Sequence, residues 1–96
     1  MAIRPRQVRD AEVWVADGLE DALLGYGEQG QQTVAVYDYA KCVEILMRRD
    51  GMDQDEADEF MSYNVTGTSL AQHTPVFLER MTPEETDAIR RPAGWA

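Results

Sequence analysis

Two residues in this chain have side chains that commonly carry covalent or acid–base chemistry: the single cysteine, Cys42, and the single histidine, His73. A working thiol needs an electropositive, partly exposed setting with a base in reach. Cys42 instead falls in the set Tyr39, Cys42, Val43, Leu46, which recurs at i, i+3, i+4, i+7 and forms one apolar helical stripe. It reads as a small buried hydrophobe, and with no second cysteine it forms no internal disulfide. His73 precedes Thr74 and Pro75 and reads as a loop residue bonded to its neighbours. No glycine-rich phosphate loop, zinc-ligand spacing or nucleophile motif occurs. The chain is therefore expected to be no enzyme, with no catalytic residue, cofactor or metal.

The other residues able to do chemistry are acids. Asp53, Asp55, Glu56, Asp58 and Glu59 form a dense run whose opening D-x-D invites a calcium-loop reading. An EF-hand loop needs a third oxygen ligand, then glycine, and a glutamate at position twelve. Ala57 and Met61 stand in the wrong places for it. Asp53, Asp55 and Glu56 suit a first helical turn, where negative charge meets the positive end of the helix dipole. Asp58 and Glu59 continue the row, and carboxylates at i, i+3 and i+4 lie about 5–6 Å apart on one side of a helix. Such a row can stand in for backbone phosphates and occupy a basic groove. With Glu20 and Asp21, these five are the candidate partner-binding residues. Tyr37 and Tyr39, either side of Asp38, and Tyr63 with Asn64 read as core and interface residues.

Charge distribution sharpens that reading. The net charge is −9 over 96 residues. Residues 10–40 hold Asp10, Glu12, Asp17, Glu20, Asp21, Glu28 and Asp38 without one Lys or Arg, and residues 50–79 are likewise free of cations. Such a surface repels nucleic acid and anionic membranes and attracts basic partners. A hydrophobic content of 44% and charged content of 28% are globular values. Apolar runs fall far short of the roughly 20 residues of a membrane helix, and the start lacks the apolar segment of a secretory signal. One domain located in the cytoplasm is the expectation, with a basic arm or edge segment at 1–9, a core at 10–80 and a terminal helix at 82–91.

The elements that must position these residues follow from local signals. Residues 10–17 suit a short helix or a strand, with Trp14 as a core anchor. Residues 21–26 read as a strand in which Gly25 marks a bulge. The segment 27–32, with two glycines, is a turn, and residues 33–37 return as a second strand to give a hairpin. Asp38 is an N-cap type, and Arg48, Arg49 and Gly51 are helix-ending signals, so a helix fills the span between. Asp53 with Glu56 makes a capping-box pattern for a second helix with Ala57, Phe60, Met61, Asn64 and Val65 inward. After the polar connection 66–72, residues 75–79 suit a third strand with proline at its start. Thr82, Pro83 and Glu85 announce a last helix of about eight residues, stopped by Pro92 and Gly94. The result is an α+β domain: an antiparallel sheet of about three strands in ββααβ order, a helix pair on one face and a short C-terminal helix. So thin a sheet is often completed by a second copy, making a homodimer a reasonable expectation. Trp95 would fold back on the core or lie on a partner.

The segments ALLG (22–25), VAVYD (34–38), CVEILM (42–47), Gly51 with Met52, and TPVF (74–77) resemble a group of small proteins of tailed bacteriophages and prophages that has no agreed activity. The resemblance spans residues 19–78, about two thirds of the chain. The group commonly has an aromatic soon after the glycine matched by Gly67, where this chain has Thr68, Ser69 and Leu70. The resemblance implies a phage setting within a host bacterium. Inhibitors of host defence, anti-CRISPR proteins among them, recur among small acidic phage proteins, so the expected partner is a basic host protein or nucleoprotein complex, with no direct nucleic-acid binding. A homo-oligomeric regulatory or structural accessory protein is the alternative.

Overall fold

The computed structural model describes residues 3–65 and 74–90. The chain opens with a hairpin of β1 (Ile3–Val8) and β2 (Ala11–Ala16), paired antiparallel from Ile3 opposite Ala16 to Val8 opposite Ala11. The basic segment anticipated as an arm or edge is thus an edge strand. Arg4 and Arg6 both form ion pairs with Asp17, and Arg9 makes the turn at φ 54°. In β2 the β-branched Val13 and the small Ala16 are buried, whereas Trp14, anticipated as the anchor, is half-buried.

A single 3-10 turn, Glu20–Ala22, leads into β3 (Leu23–Gln29), and β4 (Gln32–Asp38) returns antiparallel beside it. The register shifts between Leu23 and Gly25, where Gly25 at φ 155° provides the bulge that its position suggests. The connecting turn is only Gly30 and Gln31, because both strands run further than their apolar residues alone indicate.

Strand passes to helix at Asp38. Its Oδ1 accepts the Lys41 N–H at 3.3 Å and caps α1 (Tyr39–Asp50). Gly51 ends α1 at φ 71°, a left-handed position that costs glycine nothing. Asp53 then caps α2 (Gln54–Phe60) with both bonds of a capping box formed: Glu56 N–H to Asp53 Oδ1 at 2.8 Å and Asp53 N–H to Glu56 Oε1 at 3.1 Å. One π-helical turn, Met61–Val65, extends α2. The side chains of Asn64 and Val65, the connection 66–72, His73 and Trp95 lie outside the described residues.

The α+β class, the ββααβ order, the helix pair and the C-terminal helix all hold. One part of the sheet is corrected. β5 (Val76–Leu78) pairs with β4 in parallel, Tyr37 opposite Phe77, so the three-stranded sheet is mixed, with order β3-β4-β5. A parallel neighbour requires a crossover of a dozen or more residues, and the helix pair between β4 and β5 is that crossover. The last helix, α3 (Pro83–Arg90), starts at the expected box, with Thr82 Oγ1 accepting the Glu85 N–H and Glu85 Oε1 accepting the Thr82 N–H.

The core forms where the β1–β2 hairpin, the sheet and the helix pair meet. Ala35 and Tyr37 of β4 face Val13 and Ala16 of β2, Cys42 and Leu46 of α1, and Ala57 and Met61 at α2. Burying side chains the size of Leu19, Leu46 and Met61 stabilises the fold by about 1.5–3 kcal/mol each. The Tyr37 hydroxyl accepts the buried Ala16 N–H at 2.7 Å and thereby fastens hairpin to sheet. Cover for a thin sheet, which the sequence leads one to seek in a second copy, comes in part from the chain's own first hairpin.

Candidate interaction surface

The five acids of the run share one short, exposed element. Asp53 and Glu56 are committed to the capping box at the helix start. Asp55 and Glu59 are exposed, lie four residues apart on one side of α2, and make no side-chain hydrogen bond or ion pair among the described residues. Asp58 differs from its neighbours. It is half-buried, and its Oδ1 accepts the Tyr39 hydroxyl at 3.0 Å, a bond that ties α2 to the first turn of α1. Burial, and then this bond to Asp58, push the Tyr39 hydroxyl up to about 12. Asp58 is therefore, unlike Asp55 and Glu59, not a freely exchangeable surface group. The sequence could not show it, because the tyrosine responsible stands 19 positions away.

Glu20 and Asp21 belong to a different place. Their 3-10 turn packs on α1. Glu20 Oε2 accepts the Gly18 N–H at 2.5 Å, and Arg49 Nη1 donates to the Gly18 carbonyl at 2.8 Å. Glu20 accordingly lies in the field of Arg49. No hydrogen bond or ion pair joins this turn to α2 among the described residues, so the seven candidates form two sets and not one.

The cations explain why α2 stands out. Arg4 and Arg6 pair with Asp17, Lys41 and Arg48 with Glu44, Arg49 with Asp50, and Arg80 with Asp38. Arg49 holds the exposed Asp50 carboxyl below its ordinary range, first through their hydrogen bond. Among the described residues no cation pairs with any acid of α2 or α3, and α2 with its N-cap Asp53 carries the denser charge, five acids without a lysine or arginine.

Beside these acids lies a feature that sequence reasoning missed. Met52, Glu56, Glu59, Phe60 and Tyr63 line an open depression of about 310 Å³. Tyr63, in the π turn, is 76% exposed. A lysine or arginine could lay its methylene stem on Met52 and Phe60, set its charge against Glu56 and Glu59, and meet the Tyr63 ring face. The available signal was Met52, Phe60 and Tyr63 bracketing the acids, but a helical reading alone assigns Phe60 to the inner face.

Cys42 is fully buried, and burial, with the nearby Asp38 carboxylate second, pushes its thiol up to about 12. It is a protonated core side chain at neutral pH. Among the described residues no cluster of His, Cys, Asp or Glu has the geometry of a metal site, and no helix is long and apolar enough to cross a membrane. Fold and surface together define a small α+β domain presenting a densely acidic helix whose acids pair with no cation among the described residues. Comparison with protein-family models, curated proteins and solved structures finds no match.

Proposed function

We propose that this chain is a non-enzymatic, phage-type binding protein that occupies a basic surface of a host nucleic-acid-handling or defence complex, in the manner of anti-CRISPR inhibitors. One observation carries the reading: α2 and its N-cap Asp53 hold five acids, none of them ion-paired to a cation among the described residues, while Arg4, Arg6, Lys41, Arg48, Arg49 and Arg80 are each paired with a carboxylate elsewhere. The resemblance of residues 19–78 to phage proteins supplies the setting. Asp55 and Glu59 are the charges most available to a partner, and the Met52, Phe60, Tyr63 depression beside them adds apolar contact. The partner's groove is basic because it normally holds nucleic acid, and the acidic helix competes for it.

The test is capture from host lysate on the immobilised protein, alongside the Asp55→Lys, Glu59→Lys double variant. Asp58 is left intact because its bond to Tyr39 belongs to the fold. Loss of the captured basic protein with an unchanged melting temperature supports the proposal, and undiminished capture refutes it. A homo-oligomeric accessory protein is the second reading. It is favoured by α3, which buries none of its residues and leaves Ile89 66% exposed. Sedimentation decides between them: a stable oligomer that captures no basic protein establishes the second.

A further inference from the structure

The sheet of this protein has an edge that the described residues leave open. In the order β3-β4-β5, β3 pairs on one side with β4, and no described strand pairs on its other side. It is seven residues long and contains neither lysine nor proline, the residues that usually blunt an edge. Its apolar side chains are exposed, Leu24 at 51% and Tyr26 at 45%.

The hairpin register identifies the open backbone groups. Gln29 and Gln32 close the two-residue loop and form a hydrogen-bonded pair, so Gly27 also bonds to β4, while the alternate residues Tyr26 and Glu28 turn their N–H and C=O groups outward. The Gly25 bulge lies at the opposite end of the strand and leaves this stretch regular. Arg9 sits over the Tyr26 ring, 5.8 Å from its centre, which covers a ring face and not the backbone edge.

We infer that β3 is a second contact surface that accepts an extended, basic segment of a partner by strand addition. Backbone bonds at Tyr26 and Glu28 would supply the pairing, and Leu24 and Tyr26 the apolar contact. Charge selects the occupant. Exposed Glu20 and Asp21 precede the strand, exposed Glu28 lies within it, and residues 10–40 contain no lysine or arginine. An added strand with lysine or arginine at its two ends meets carboxylates at both. A second copy meets the reverse: antiparallel pairing brings Glu28 of each copy toward the other's Glu20 and Asp21, between molecules that each carry −9. The inference shares with the proposed function the expectation of a basic partner, but it uses a different element and can fail separately.

The probe is a synthetic peptide of alternating valine and threonine with two lysines at each end, added to the isotope-labelled full chain with amide exchange followed by NMR. The Tyr26 and Glu28 amides should slow by about ten-fold or more, while Gly27, already bonded to β4, keeps its rate. Glu28→Pro removes an outward donor without breaking a backbone bond to β4, at the loss of the exposed Thr33 hydroxyl bond to the Glu28 carboxylate, and should weaken peptide binding about ten-fold or more with the β4 amides still protected. The Asp55→Lys, Glu59→Lys protein should bind the peptide as the parent does, which separates this surface from α2. Unchanged exchange at Tyr26 and Glu28 with saturating peptide overturns the inference. Equal binding of the same peptide with glutamates at its ends overturns it too. Protection of those amides that grows with protein concentration in the absence of peptide would assign the edge to a second copy and overturn it likewise.

Discussion

Replacing Tyr37 with phenylalanine removes a single oxygen from the centre of the molecule. The ring is 1% exposed and stacks on Phe77 with centroids 5.3 Å apart, and phenylalanine keeps both that contact and the filled volume. What is lost is the acceptor for the Ala16 N–H, bonded at 2.7 Å in a residue with no exposed surface. Water cannot replace it without opening the junction between β2 and β4. A buried donor left unsatisfied costs about 1–3 kcal/mol. In a domain of this size each kcal/mol lowers the melting midpoint by about 4–8 °C. Thermal and urea unfolding of the two proteins should therefore differ well outside error, and amide exchange at Ala16 should accelerate more than at residues of α2. A loss under about 0.3 kcal/mol, with Ala16 exchange unchanged, would refute the idea that this hydroxyl fastens the first hairpin to the sheet.

Three other outcomes follow from the same geometry. Gly51→Ala should destabilise by about 1–2 kcal/mol in urea unfolding, because φ 71° is left-handed although a Cβ there would meet nothing within 4 Å. Tyr39 should remain protonated well past the ordinary value of 10.0 and ionise near 12, as read from phenolate absorbance; since its folded value is raised, its stabilising contribution is complete below pH 10 and is lost as pH climbs toward about 12. Cys42 should be inert to thiol reagents in the folded protein and react at the rate of global or local opening, so full reactivity under native conditions would contradict its burial.

Much of this fold is written in short-range chemistry. Asp38, Gly51, the Asp53 and Glu56 box and the Thr82 and Glu85 box each act within four residues, and each stands where its residue type requires. The first hairpin was harder to read. Its turn uses Arg9 at positive φ in place of a glycine, and the inner residues of β1 are exposed, so no apolar alternation marks that strand. The parallel placement of β5 depends on how the helix pair carries the chain across the sheet, which three residues of strand cannot signal. For the surface, the acids of α2 were legible as a row. Their partition into capping groups, one acid held by Tyr39, and two acids without a partner among the described residues required the tertiary contacts.

The central claim is that the uncompensated carboxylates of α2 drive association with a basic surface. It is tested most directly by the association rate of the protein with its captured partner as salt is raised. Screening shortens the reach of these charges from about 10 Å at 0.1 M to about 3 Å at 1 M. The rate should fall steeply across that range for the parent protein and both start lower and fall less for the Asp55→Lys, Glu59→Lys variant. An association rate that is flat from low to high salt would contradict the claim and assign the contact to apolar residues such as Phe60 and Tyr63.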